Sequence, residues 1–305
     1  MNKVSAVIVT YNRLNKLKKS VCQSLKEDFD NIIIVNNASN DGTEEWLKTL
    51  KDKRLHILNL KHNIGGAGGF HIGIKYVIEK LDSEWLVCFD DDAYPYKDTI
   101  KKFKDLSFED NVVSIAAAVF LPNGKISKMN IPRFNLCKKK KHYLDEKFFY
   151  KNKYVSIDMS SFVGYFVRTS IIKKLNHLPR KELFIYGDDL IFSLTLTKKG
   201  YKHFFVPQLK FIHDTDTIEN EKQIYKPIWK VYFTFRNGIE LYRIMEKKCT
   251  YFYAVTKFFQ LFLKRKYYPN KLRNKYDKLL FLALKDGLLR NFDRSFQEIL
   301  RISNN

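Results

Sequence analysis

Three consecutive carboxylates, Asp90, Asp91 and Asp92, close the apolar run Trp85-Leu-Val-Cys-Phe89, and chemistry is most expected at that junction. The run reads as a buried strand whose carboxyl end opens into a polar cleft. Carboxylates crowded at one point repel each other unless a cation sits among them. Oxygen ligands of this kind suit a hard divalent ion, Mg²⁺ or Mn²⁺, which in turn can hold substrate phosphates. The plain alternative for a bare triplet is an acidic turn that ends a strand. A second acidic pair, Asp188-Asp189, follows Leu183-Phe-Ile-Tyr186-Gly187, and His213 ends the apolar run Lys210-Phe-Ile. That histidine is either a metal ligand or a satisfied residue at a strand end. The segment Asn63-Ile-Gly65-Gly66-Ala-Gly68-Gly69-Phe70 lets backbone approach a ligand closely, and amides at a helix start attract anions. Its spacing is not the dinucleotide fingerprint, and a tight turn is its simpler reading.

The elements that must position these groups alternate. Val4 to Thr10 is β-rich, and Leu14, Leu17, Val21 and Leu25 follow at helical spacing. Asn31 to Val35 is a second strand, and the polar turn from Asn36 to Thr43 caps a helix carrying Trp46, Leu47 and Leu50. A third strand from Leu55 to Leu60 leads through the glycines to a helix predicted from about Phe70 to Leu81. Alternation of this sort predicts an α/β domain with a parallel sheet, whose ligand clefts lie beyond the carboxyl ends of the strands. Thr10-Tyr11-Asn12-Arg13, Asp41, the glycines and the Asp triplet all fall at such ends and are expected to share one cleft. Farther on, 112–121 and 160–168 read as strands, and Asp188-Asp189 heads a helix ending near Gly200.

The chain has 305 residues, 45% of them hydrophobic, enough for a sizeable core. Its net charge of +22 calls for an anionic partner: nucleic acid, an anionic membrane surface or phosphorylated substrates. Cys22, Cys88, Cys137 and Cys249 are scattered, as free thiols in a reducing compartment would be. No secretory-type leader precedes the first strand, and no apolar run reaches the roughly 20 residues of a membrane span, so a cytoplasmic location is expected. The cluster Lys138 to Lys141 reads as a charged loop. From residue 216 on there are 19 Lys and Arg against 9 Asp and Glu, a net of +10, mixed with many aromatics. The segment Cys249 to Arg265 reads as an interfacial helix on anionic lipid or as a core helix.

Taken in order, Val9-Thr10-Tyr11-Asn12-Arg13, Asn37 to Thr43, Asn63 to Phe70, Asp90-Asp91-Asp92, Gly187-Asp188-Asp189-Leu190 and His213 resemble the inverting family 2 glycosyltransferases. The resemblance spans roughly residues 4 to 215. It implies a GT-A (nucleotide-diphospho-sugar transferase, Rossmann-like) domain over 1–215, followed by a mostly helical, basic, aromatic-rich region over 216–305. It places Thr10, Tyr11, Asn12, Arg13, Asn37 and Asn63 at the nucleotide, with Asp41 at the base. Gly65, Gly66, Gly68, Gly69, Asp90 and Asp91 fall where the rest of the donor is cradled. Asp90, Asp92 and His213 match the metal ligands, for Mg²⁺ or Mn²⁺. Asp189 matches the catalytic base, with Asp188 beside it, and Tyr186, Gly164 and Tyr165 are the candidate acceptor contacts.

The chemistry suits these residue types independently. A metal between carboxylates and a diphosphate stabilises charge growing on the leaving group, and a carboxylate can take the proton of an attacking hydroxyl. The full Asp triplet and the glycine segment are similar to galactofuranosyltransferases using UDP-galactofuranose, and overlap with rhamnosyltransferases using dTDP-rhamnose. Tyr186, where that branch carries a Trp, departs from it. The expected partners are a nucleotide-sugar donor, a glycan or lipid-linked glycan acceptor of a bacterial surface polysaccharide, and an anionic membrane face. A nucleic-acid-binding protein lacks its zinc or RNP signatures here. A nucleotidyltransferase would leave the late acidic pair and His213 without a purpose.

Overall fold

A computed structural model describes residues 3–134, 142–215 and 225–304 of the chain. Cys137 and the lysine cluster at 138–141 lie outside these residues. The first half of the chain alternates as its periodicity requires: β1 (Val4–Thr10), α1 (Leu14–Leu25), β2 (Asn31–Asn36), α2 (Thr43–Thr49), β3 (Leu55–Asn59), α3 (Gly65–Lys80) and β4 (Trp85–Asp90). It continues with β5 (Ala93–Pro95), α4 (Thr99–Lys104), β6 (Val112–Phe120), β7 (Val155–Ile157), β8 (Tyr165–Arg168), α5 (Thr169–Leu175), α6 (Asp188–Lys198) and β9 (Lys202–His213). The helices α7 (Lys230–Met245), α8 (Thr250–Phe262), α9 (Asn270–Leu289) and α10 (Phe296–Asn304) follow.

Among the described residues nine strands form one sheet, ordered β3-β2-β1-β4-β8-β6-β9-β5, with β7 on β9. The sheet is mixed rather than parallel throughout. β3, β2, β1 and β4 run parallel, whereas β8 is antiparallel to both neighbours. Every residue of β1 is buried, because apolar clusters cover both faces of the sheet. Parallel register sets Thr10 beside Asn36, and Val9 beside Asp90, so the carboxyl ends of three strands line up. After β4 the chain turns sharply, and β5 pairs antiparallel with β9 in the register Ala93 to His213. That pairing returns His213 to the Asp triplet.

The helix predicted from Phe70 begins five residues earlier, at Gly65, so the glycines are its first turns rather than a loop. Gly69 and Gly73 lie where an added Cβ would come 2.4 Å from Val9 Cγ1 and 2.5 Å from Val7 Cγ1. Small residues thus let α3 sit directly on β1. The four late helices build their own apolar cluster around Tyr232, Phe233, Tyr276 and Leu280, and Phe184 and Ile185 of the preceding domain pack against it.

Candidate active site

The site grows from the turn after β4. Asp91 is buried and accepts hydrogen bonds from Thr10 Oγ1 at 2.8 Å and Arg13 at 3.1 Å, and Arg13 also donates to Asp92 at 2.7 Å. Asp91 is therefore held by β1 and its following loop, and Asp92 shares the Arg13 guanidinium with it. The donor atoms of Asp90, Asp92 and His213 all lie within 4.8 Å of one another. His213 Nδ1 lies 2.8 Å from Asn130 Oδ1, which can only accept, so Nδ1 carries a proton and Nε2 is the nitrogen turned toward the carboxylates. Nε2 faces Asp92 Oδ1 at 3.1 Å, and that buried oxygen has no hydrogen-bond donor. Where Nε2 carries no proton, two acceptors face each other and a cation between them relieves the contact, and an imidazole with two carboxylates suits a divalent ion.

Electrostatics agree with that reading. Burial, and then the neighbouring Asp92 charge, push the Asp90 carboxyl up to about 8. Burial lifts Asp91 to about 6 against the pull of Arg13. Burial also penalises Asp92, yet a protonated His213 beside it and the Arg13 guanidinium hold it below the ordinary carboxylate value. Arg13 offsets Asp91 and Asp92, so the preference for added positive charge rests on Asp90, which has no ion pair among the described residues.

Two cavities meet here. The first, of ≈ 330 Å³, is lined by Thr10, Tyr11, Arg13, Asn37, Asn63, Gly65, Gly66, the Asp triplet and His213, together with Met129, Phe184, Trp229 and Phe296. The second, of ≈ 570 Å³, holds Tyr186, Asp188 and Asp189 and extends along α7 and α8 past Asn237, Tyr253 and Lys257. Gly66, Asp90, Met129, Ile185 and His213 line both, so the Asp90–His213 pair stands at the junction. Asp188 and Asp189 open α6, and burial raises both carboxyls, Asp188 to about 8 with the Asp189 charge adding to it.

Some expected residues stand elsewhere. Asn12 braces two loops, its side chain accepting from Asn40 N at 2.8 Å and its amide donating to Ser39. Asp41 accepts from Leu14 N at 2.9 Å and Thr43 Oγ1 at 2.6 Å, and so fixes the start of α1 instead of lining the first cavity. Asn37 and Asn63 do line it, but their side chains also hold the entry to α3, with Asn37 Nδ2 donating to Asn63 Oδ1 and Gly65 O. Gly65, at φ +76, is pressed against Phe184 O, and Gly66 alone of the four has open space at its Cβ position. Gly68 and Gly69 correct the expectation of a four-glycine cradle: they pack on Ile64 and Val9. Tyr165 is 0% exposed in the core of β8, and a Cβ on Gly164 would strike Phe211, so neither reaches the second cavity. Ser161, Phe162 and Val163 line it in their place.

Other contributors carry no sequence motif. Asn130 ends the short 3-10 turn Lys128–Asn130 and Arg133 follows it in the connection to β7, and Trp229, Asn237 and Phe296 come from beyond residue 216. Asn237 Nδ2 lies 3.0, 2.8 and 2.8 Å from the carbonyls of Leu183, Ile185 and Tyr186, and Arg236 donates to Leu183 O at 3.0 Å. These bonds hold the loop whose Phe184 and Tyr186 adopt φ +65 and +68 before Asp188.

A glycosyl transferase family 2 model matches residues 5–174, more than half of the chain. The chain belongs to glycosyltransferase family 2. This transferase is 29% identical over 214 residues to the dTDP-rhamnosyl transferase RfbF of Shigella flexneri, covering 69% of this chain and 68% of that protein. It is 33% identical over 99 residues to the galactofuranosyltransferase GlfT1 of Mycolicibacterium smegmatis, only 32% of each chain. Among solved structures, S. aureus TarS 1-349 in complex with UDP-GlcNAc aligns over 97% of the transferase and 92% of that chain, at TM-score 0.54 and 15% identity. The Pyrobaculum calidifontis mannosyltransferase PcManGT, in complex with GDP-Man and Mn2+, aligns over 95% and 88%, at TM-score 0.56 and 12% identity. Likeness at that identity concerns the fold, and the fold is GT-A. Among the described residues of the transferase no helix is long and apolar enough to cross a membrane.

Proposed function

We propose that the chain transfers a hexose, with inversion, from a nucleotide-sugar donor to a glycan or lipid-linked glycan acceptor of a bacterial surface polysaccharide. The observation that carries this reading is the pair of cavities joined at Asp90 and His213, with Asp188 and Asp189 in the second. The first cavity takes the donor, with Tyr11 against the base, Gly66 and Arg13 toward the diphosphate and Asp90, Asp92 and His213 as ligands of Mg²⁺ or Mn²⁺. Such an ion, when bound, neutralises charge on the departing nucleoside diphosphate. Asp189 takes the proton of an acceptor hydroxyl in the second cavity, and Asp188 beside it raises the pair's affinity for that proton. A single displacement from that side inverts the anomeric carbon. The enzyme works at the inner face of the cell membrane, to which its basic C-terminal helices hold it.

The Asp triplet and glycine segment favour UDP-galactofuranose. The longer of the two relationships, to a dTDP-rhamnosyl transferase, favours dTDP-rhamnose as the second reading. Release of nucleoside diphosphate from a panel of sugar nucleotides, with Mg²⁺ or Mn²⁺ and then with chelator, separates them. Metal-dependent turnover of one donor identifies it. Turnover untouched by chelator, or by His213→Ala, removes the metal assignment.

A further inference from the structure

We propose that α8 lies in the plane of an anionic lipid bilayer, seated by its exposed apolar stripe and by a cationic groove beside it. The acceptor cavity on the far side of α8 then serves an acceptor anchored in that bilayer. This rests on the transferase reading above and adds the surface that delivers the acceptor.

The stripe is explicit. Tyr251, Phe252, Val255, Phe259 and Leu263 are 70, 74, 45, 60 and 69% exposed. At about 100° per residue they fall within one arc of about 120°. Tyr253, Lys257 and Leu261, which line the acceptor cavity, centre on the opposite side of the same helix. Phe262, at the edge of the stripe, touches Phe281 of α9 at 6.5 Å between ring centroids, and Phe281 is 55% exposed. Phe281 in turn lines a groove between α9 and α10 with Lys271, Lys278, Lys285 and Arg301. The nearby carboxylates are engaged elsewhere, Asp277 with Arg265 at 2.9 Å and Glu298 with Arg294. Among the described residues no carboxylate pairs with those four cations.

Exposed aromatics bordered by unpaired cations match an anionic lipid interface, where apolar area and charge act together. A second copy of the chain is the poorer occupant. In a two-fold contact each patch meets itself, and four unneutralised cations would face four more. A helix is about 10–12 Å across, so the cavity would stand one helix diameter above the lipid plane. A sugar carried on a lipid headgroup reaches that height, and Lys257, with no acidic partner among the described residues, lines the cavity where the headgroup phosphate would lie.

Flotation of the full chain with vesicles tests this. Binding is expected to phosphatidylglycerol–phosphatidylcholine vesicles, weakened by salt, and not to pure phosphatidylcholine. Lys271→Gln/Lys278→Gln should lower the partition coefficient roughly fivefold per charge removed. Phe252→Ser/Phe259→Ser should lower it at least tenfold. Both pairs are exposed, so fold and donor turnover in vesicle-free solution should stay unchanged while transfer to a vesicle-embedded acceptor falls. Donor turnover is measured separately, so a wrong transferase assignment shows there and a wrong surface shows in flotation. Wild-type chain that ignores anionic vesicles, or double variants that bind as well as wild type, would overturn the proposal. So would a dimer in sedimentation that Phe252→Ser/Phe259→Ser dissolves.

Discussion

Asp188 and Asp189 occupy the first turn of α6, where the aligned peptide dipoles favour a negative charge by roughly 0.3–1 kcal/mol. Burial outweighs that help, since the Asp188 carboxyl is still pushed up to about 8 and Asp189 also moves up. Two buried carboxyls in one helical turn share a proton well above the usual carboxylate range, and the pair titrates as a unit. A base acts only when deprotonated, so kcat at saturating donor and metal should climb with pH along a limb well above the ordinary carboxylate range. Asp188→Asn removes the neighbouring charge and should move that limb to lower pH. Asp189→Asn should cost about 10²- to 10⁴-fold in kcat with donor affinity nearly intact by calorimetry. A limb near pH 4 in the wild type would exclude the pair as the base. The types and order of Asp90, Asp92, Asp189 and His213 were legible in the sequence because they stand at or just past a strand end or at a helix start. Asn130, which accepts from His213 Nδ1, was not, because it is a single polar residue at the end of a three-residue 3-10 turn.

At the scale of elements, periodicity exposed the units from β1 to β4 and hid the rest for a geometric reason. β5 and β7 have three residues each, too few to show alternation, and β8 runs antiparallel because its partners demand it rather than through any local preference. The start of α3 shows the same limit, since glycine-rich sequence looks like a loop until the strand beneath it is seen. Two roles are mixed in that segment, and substitution separates them. Gly69→Ala sets a methyl 2.4 Å from Val9 Cγ1, so it should destabilise the chain by about 1–3 kcal/mol in chemical denaturation, with donor KM unchanged. Gly66→Ala meets nothing within 4 Å, so it should hold or slightly raise stability through helix propensity. Because Gly66 lines the donor cavity, the same change should raise donor KM several-fold. Equal effects on both quantities from both variants would mean that the glycines act only as packing.

For the whole molecule, the composition shift near residue 216 marks a change of architecture but does not mark where the site ends. Trp229 and Phe296 line the first cavity, and Asn237 holds the loop that leads into Asp188 and Asp189. Glu240, 2% exposed at its side chain, binds Arg180 at 2.7 Å and Arg290 at 3.1 Å, and so ties the approach of that same loop to α7 and to the end of α9. Such a buried carboxylate is costly to leave without its cations, which makes the joint hard to open. No sequence window could reveal this arrangement, since each contact joins residues about 50 or more positions apart. A chain cut after residue 215 should therefore expose the apolar surface of Phe184 and Ile185, lose the positive-φ conformation of the loop and bind no donor. Far-UV circular dichroism and donor calorimetry on residues 1–215 would check this. Full-length affinity in the truncated chain would show instead that the late helices are separable from donor binding.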